Sequence, residues 1–441
     1  MKKILLKILG IAPVLLLSVA ITAAQTGIDN QCVELLNNIF RDLGTNCAAA
    51  ESNTACYGSA MIVDPLFSDG QEAFSDEDEV FTEAGDIVDL VFPQEDFYAV
   101  AALGVSDLSL SDENWGISLV YSQANLPSNI DPLVIGLFGT TRVENGVFPD
   151  ELFMLGEEVT LSLTDAVLFT SPDTFNEPHL AIEQVSGDFV ADAITPDGAW
   201  VRVQYMYDRE YGASRASAWV QASDVSDDVD LSVLPELGPD SQSPMQEFYI
   251  IEDNTTSSDC MSAPPSGILL QGPEEIETDV LINGVHVRLS STGYVQLRNG
   301  VMRFSTLSGL MVLEPNTENE MIIPPGYFVD FGLPGDFEFC FGGPVNLGLD
   351  FVANNGFADF GACSPSAPAV MSPDIATSLA DFGSLPSNII NYPIPPIEIV
   401  ITSGNGGPII IIILPPDLLD RIEELCNAGL LPEPICEVFG F

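Results

Sequence analysis

The residues of this chain that could do chemistry are its carboxylates, its cysteines and two histidines. Among 65 Asp and Glu, two facing each other across one cleft would suffice for glycoside cleavage, so an extracellular carboxylate-dependent hydrolase is one reading. The densest acidic run is Ser75-Asp76-Glu77-Asp78-Glu79, flanked by Asp69, Glu72, Glu83 and Asp86. Oxygen ligands held on a turn suit calcium, which makes Asp76, Asp78 and Glu79 the candidate ligands of a weak divalent-cation site. The run lacks the glycine at the sixth position of an EF-hand loop, and a solvated acidic loop is the competing explanation. His179 follows Pro178 in a loop, and His286 sits within a strand-like run. There is no G-x-S-x-G elbow, phosphate loop or dinucleotide fingerprint. The expectation is therefore a non-enzymatic protein with no cofactor beyond such a cation.

Recognition chemistry concentrates elsewhere. Tyr205, Tyr207, Arg209, Tyr211 and Arg215 lie in one stretch between Tyr205 and Ser217. Aromatic rings and scarce cations on one loop suit a ligand-binding surface. Trp115 is a further ring able to stack on sugars.

Scarcity of cations is general. The only lysines are Lys2, Lys3 and Lys7, in a segment with a basic start, an apolar run from Ile8 to Ile21 and small residues at Thr22, Ala23 and Ala24. That is the pattern of a secretory signal peptide, residues 1–24. After its removal nine arginines would face all 65 acids, a formal charge of 9 − 65 = −56. Such a charge repels nucleic-acid phosphates and anionic membranes. It leaves cell-wall polymers, glycans and extracellular proteins as expected partners, and it equally suits a saline habitat or colloidal repulsion. The longest aliphatic run, Ile409 to Leu414, is far shorter than the roughly 20 residues of a spanning helix, so no integral membrane segment is expected after cleavage.

All eight cysteines, Cys32, Cys47, Cys56, Cys260, Cys340, Cys363, Cys426 and Cys436, lie beyond the leader. In an exported chain an even number reads as disulfides. Close pairs are the economical expectation: Cys426 with Cys436 and Cys340 with Cys363. Cys32, Cys47, Cys56 and Cys260 would then tie the N-terminus to the middle. With no C-x-x-C spacing and both histidines far away in sequence, zinc is not expected.

The elements that must position these residues are mostly strands. Cys32, Leu35, Leu36, Ile39, Phe40 and Leu43 form one helical stripe, with Asp29 to cap it and Gly44 to end it; residues 25–60 are a helix and a Cys-rich segment. Strand-like runs at Asp86 to Phe92, Trp115 to Ser122, Leu133 to Phe138 and Val159 to Leu163, separated by turn formers, indicate a β-sandwich-like domain over 61–164. Residues 227–265 are polar and proline-containing, a linker. Within 266–335, Asn283-Gly284 between alternating apolar runs is a hairpin signal, with further strands at Tyr294 to Leu297, Val301 to Phe304, Gly309 to Leu313, Met321 to Ile323 and Tyr327 to Asp330. The Gly-, Pro- and Ile-rich region 336–441 holds isoleucine runs at Ile397 to Ile401 and Ile409 to Leu414, which could pair, and a short helix over 417–428.

Two blocks carry a resemblance. Asp197-Gly198-Ala199-Trp200-Val201-Arg202-Val203 followed by Ala218-Trp219-Val220-Gln221-Ala222-Ser223-Asp224-Val225 resembles the closing strands of bacterial SH3-like domains, which implies a small barrel over 165–226 with Trp200 and Trp219 buried against it and the intervening side chains facing out. Leu168-Phe169-Thr170-Ser171-Pro172 stands where that family has its opening motif, and Ala218 where it has glycine. The strand and Pro-Pro-Gly pattern of 266–335 is similar to the β-roll of FecR-type periplasmic domains, which relay signals to a membrane partner. The expected fold class is mainly β and multi-domain, with small sandwich or barrel modules and short disulfide-pinned helices at both ends. The expected function is secreted, non-enzymatic binding at the bacterial cell surface or cell envelope. A hydrolase or a purely structural matrix protein are the alternatives.

Overall fold

The computed structural model of the chain describes residues 31–59, 83–92, 97–98, 100–175, 177–209, 213–250, 260, 263–298, 300–317, 319–332 and 365–395. The leader 1–24, Asp29, Asp76, Asp78, Glu79, Cys340, Cys363, Cys426, Cys436, both isoleucine runs and the 417–428 helix lie outside these residues.

The fold is mainly β and has more than one module. A helix α1 (31–46) precedes strands β1 (Thr54–Tyr57), β2 (Ile87–Asp89), β3 (Val91–Phe92), β4 (Phe97–Tyr98), β5 (Ala102–Val105), β6 (Ile117–Ser122), β7 (Leu133–Phe138) and β8 (Thr141–Asn145). Four strands follow as one unit: β9 (Val159–Phe169), β10 (Ala181–Ile194), β11 (Trp200–Asp208) and β12 (Ser214–Gln221). The chain then continues through β13 (Glu247–Ile250), β14 (Gly267–Gln271), β15 (Thr278–Ile282), β16 (Val285–Leu289), β17 (Thr292–Arg298), β18 (Val301–Ser308), β19 (Met311–Leu313), β20 (Met321–Ile323), β21 (Tyr327–Gly332), β22 (Ala369–Val370) and helix α2 (Pro373–Ala380).

Two large sheets face each other. One has the order β2-β1-β6-β7-β14-β17-β18-β21-β22, the other β20-β19-β16-β15-β13-β8-β5. Period-two alternation sends Ile135, Leu137, Ile268 and Val295 from the first sheet, and Val143, Phe248, Val280 and Val287 from the second, into one shared core. Strands from 61–164 and from 266–335 are thus hydrogen-bonded neighbours in the first sheet and are joined through β13 in the second. Two separate modules were expected there, but β7 pairs with β14 and β8 with β13. Strand β13 itself lies inside the segment read as a linker. The Asn283-Gly284 turn forms as expected, with both residues at positive φ (51° and 76°). Asn283 is also buried and bonds both backbone atoms of Ile250, 2.9 Å from its N and 3.2 Å from its O, which ties the hairpin to β13.

The outer face of the nine-stranded sheet is covered by both helices. Cys32, Leu36, Ile39, Phe40 and Leu43 pack there with Trp115, Phe138, Tyr294, Leu379 and Phe382. Disulfides Cys32–Cys260 and Cys47–Cys56 pin this layer. Gly44 does not end α1, which runs on to 46. Its glycine is needed for close approach instead: a Cβ there would lie 2.8 Å from the Pro386 ring carbons. Trp115, a candidate sugar platform, is 1% exposed and wedged between Phe40 and Phe138.

Strands β9 to β12 close into a separate barrel of order β10-β11-β12-β9, inserted between two strands that are themselves partners. The chain leaves after β8 and returns at β13, where Gly146 N donates to Glu247 O at 2.8 Å. A Cβ on Gly146 would meet the Glu247 side chain at 2.5 Å, so the crossing requires glycine. The barrel interior holds Leu161, Leu163, Leu168, Val201, Val203, Ala218 and Val220. Trp200 and Trp219 fall in the opposite phase of the same strands. They are buried on the barrel's outer flank with Phe153, Ala193 and Leu237 rather than inside it.

Candidate functional site

The barrel's most distinctive feature is an opening in its wall. Among the described residues β10 and β11 pair only at Ala191↔Val203, Ala193↔Arg202 and Ile194↔Val201, with a bulge between Ala191 and Ala193. Beyond that point they diverge. Residues 181–190 of β10 remain paired with β9 on one side, and β11 beyond Val203 pairs with β12 alone. A bulge bends and twists its strand, which accounts for a fork beginning there.

The branch point and one limb of the fork have identifiable anchors. At the branch point Asp192 is fully buried and Arg202 is 2% exposed. Arg202 Nε donates to Asp192 Oδ1 at 2.7 Å, and its Nη1 donates to Asn125 O of the sandwich at 2.6 Å. The guanidinium also lies 5.3 Å over the Phe153 ring. Further out, the β11–β12 hairpin leans on the sandwich: Ser214 N donates to Glu275 O at 2.8 Å, and Glu277 N to Ser214 O at 2.9 Å.

Side chains reinforce that contact. Arg215 Nε bonds Glu277 at 3.0 Å, and its Nη2 lies 2.6 Å from Asp279 Oδ2, an ionic contact without an aligned hydrogen bond. Arg209 approaches Glu277 at 3.5 Å. From β16, Arg288 Nε bonds Asp279 at 2.8 Å and its Nη2 bonds Glu177 at 3.3 Å. His286 Nε2 lies 3.0 Å from Asp279. Burial by itself would raise the Asp279 carboxyl, but Arg215, Arg288 and His286 outweigh it and hold the group well below the ordinary carboxylate range. The same reasoning runs in reverse for Arg215, whose burial is outweighed by Asp279, Glu177 and Glu277 so that its charge is held more firmly. One hairpin is thus bolted to the sandwich while residues 181–190 of the other remain mostly exposed.

Two clefts occupy the gap. The outer one, about 530 Å³, is lined by Thr170, Leu180, Ile182, Tyr207, Asp208 and Arg209 among others. The inner one, about 380 Å³, is lined by Asp188, Phe189, Gln204, Tyr205 and Met206 among others. Leu180 is 57% and Met206 50% exposed, which is high for such apolar side chains.

The expected ligand-binding residues therefore part company. Tyr205 and Tyr207 line the inner and outer clefts, half-buried on β11. Burial raises the Tyr207 hydroxyl, with Arg215 and Arg209 opposing. Arg215 is engaged by Glu277 and Asp279, whereas Arg209 lines the outer cleft and makes only a 3.5 Å ionic contact with Glu277. Tyr211 lies outside the described residues. Leu180, Ile182, Phe189 and Met206 were not singled out from sequence, because scattered apolar residues on exposed strands carry no signal until the strands are seen to diverge. His179 is structural: it stacks on Phe169 at 4.5 Å and its Nδ1 lies 2.6 Å from Ser171 O.

Carboxylate chemistry gathers on the exterior face of the seven-stranded sheet instead. Burial raises Glu247 against hydrogen bonds from Tyr249 and Gln242. It likewise raises Glu144 against Arg142, and it raises Glu151. Neither cleft lies there, and each cleft is lined by a single carboxylate, Asp208 or Asp188. Among the described residues no group of His, Cys, Asp and Glu could hold a metal ion, and no helix is long and apolar enough to cross a membrane.

Comparison with protein-family models, with curated proteins and with solved structures finds no match to this chain.

Proposed function

We propose that this is an exported, non-enzymatic binding protein working at the bacterial cell surface, with the opening between β10 and β11 as its ligand site. The observation that carries the reading is that opening: two clefts between strands that stay paired to β9 and β12 on their other sides, lined by Tyr205 and Tyr207 and rimmed by exposed Leu180 and Met206. Concave sites with a few aromatic and polar groups are where ligands bind. Disulfides Cys32–Cys260 and Cys47–Cys56 support an oxidising, extracytoplasmic location, as does the basic and apolar leader. The barrel is proposed to be the SH3-like module, with the FecR-like strands of 266–335 contributing to the scaffold that holds it. The ligand class is a cell-wall polymer, a glycan or an extracellular protein.

Purified mature protein incubated with cell-wall, polysaccharide and surface-protein preparations tests this, at low and high salt. Retention that Met206→Arg and Leu180→Arg abolish is expected. Retention on none of the preparations would refute the reading, and release of new reducing ends from a polysaccharide would favour the carboxylate-dependent hydrolase.

A further inference from the structure

The clefts lie between two strand edges, with Asn129 and Ile130 of the β6–β7 connection closing the inner one and Pro178, Leu180 and Asn316 flanking the outer one. On one side, residues 181–190 of β10 bond β9 and have no second neighbour among the described residues. On the other, β11 beyond Val203 bonds β12 and likewise has none. Two edges that diverge from a shared ladder each keep backbone groups with which one more strand, about 4.8 Å away, can pair. Unpaired backbone N–H and C=O groups on such edges are a template for an incoming chain.

The floor of the opening suits the alternating side chains of that chain. Ile182, Val185, Phe189, Tyr205 and Tyr207 are partly buried against the barrel core, while Leu180 and Met206 stand at the rim. The Tyr205 ring leans on Phe189, centroids 6.1 Å apart and tilted by 55°, so it is committed to a neighbour rather than presented as an open sugar platform. Charge sets the ligand's polarity. Glu183, Asp188 and Asp208 are exposed along the two edges, Arg209 lies 3.5 Å from Glu277, and the whole chain carries a formal charge of −53. Natural strand edges are blunted by charge, yet this one keeps exposed apolar side chains beside its acids.

We infer that the slot between β10 and β11 takes an extended, basic polypeptide segment, which adds as a strand by backbone hydrogen bonds. The inference rests on the proposal that this opening is the binding site, and it commits that site to a polypeptide.

The test uses the full mature protein and four labelled probes. These are a twelve-residue peptide of alternating Lys and Val, the same peptide N-methylated at every second amide, an alternating Glu and Val peptide, and soluble cell-wall glycan fragments. Binding is read by fluorescence anisotropy, and location by amide hydrogen exchange. The Lys-Val peptide is expected to bind and to slow exchange within 181–190 and 204–208. N-methylation should weaken it by about tenfold or more, since several backbone hydrogen bonds are lost. The Glu-Val peptide should not bind. Met206→Arg combined with Leu180→Arg should weaken the Lys-Val peptide by about tenfold through repulsion and filling, whereas Val33→Arg on α1 should not. Equal binding of the N-methylated peptide, or protection confined to other segments, would overturn the inference. Should glycan fragments alone protect 181–190 and 204–208, strand addition is wrong and the opening remains the binding site. Should no probe protect those residues, both proposals fall.

Discussion

Replacing Arg202 with methionine probes the anchor at the branch of the fork. The guanidinium is 2% exposed, bonded to fully buried Asp192 at 2.7 Å and to Asn125 O at 2.6 Å. Methionine fills similar volume but leaves the Asp192 carboxylate buried without its cation and the Asn125 carbonyl without a donor. Removing one partner of a buried pair costs about 3–5 kcal/mol, mostly from the uncompensated charge left behind. At about 2–4 °C per kcal/mol for a domain of this size, the melting transition should fall by about 6–20 °C. Arg202→Met combined with Asp192→Leu removes both charges, and replacement of a buried pair by apolar side chains is close to neutral. The double variant should therefore recover most of the loss. Differential scanning calorimetry of the single and double variants measures this. A single variant within about 1 kcal/mol of the parent, or a double variant no better than the single, would refute the argument, because the pair would then not be buried and coupled as described.

Three further outcomes follow from the same structure. Chain-entropy reasoning gives about 5 kcal/mol for a disulfide closing a loop as long as Cys32–Cys260 and about half that for Cys47–Cys56, so paired Cys→Ser variants should lose more denaturant stability in the first case. Asp279 has its folded carboxyl held below the ordinary value, so its stabilising effect is complete above about pH 4 and fades as pH falls through the lower folded value; urea melts from pH 6 to pH 2 should show the parent losing more stability than Asp279→Asn across that acid window. Gly44→Ala would press a methyl group to 2.8 Å from Pro386, and about 1–3 kcal/mol of destabilisation in a chemical melt is expected despite alanine's better helix propensity.

Local pattern carried much of the strand content. Leu133–Phe138 and Met321–Ile323 appear with the bounds expected from alternation, the Asn283-Gly284 turn sits where its dihedral preference requires, and the apolar stripe of α1 is buried. What could not be read is pairing between distant segments. Strand β13 is short and lies in a polar, proline-containing stretch, yet its place beside β8 makes the barrel an insertion within one sandwich. Trp200 and Trp219 announced a barrel, but only the alternation of Val201, Val203, Ala218 and Val220 into its interior puts the indoles outside. Within the ionic contact, Asp279 and Arg288 are cross-strand partners that the Asn283-Gly284 turn places opposite each other, but Glu177 and Arg215 come from distant stretches of chain that no spacing rule could bring to them. Arg209 and Arg215 drew notice as rare cations, and both approach the Glu277 carboxylate of the sandwich. The opening itself is a partner that a strand lacks, and a missing partner leaves no mark on either strand's own residues.

The binding site proposed for this protein depends on β10 and β11 separating beyond Ala191 and leaving usable edges. Native-state hydrogen exchange on the unliganded protein, resolved residue by residue, addresses it most directly. Amides in 201–203 and 191–194 should be slow to exchange, while alternate amides of 181–190 and of 204–208, those facing the gap, should exchange quickly. Uniform protection through both stretches would mean that the wall is zipped shut, and the binding groove described here would not exist.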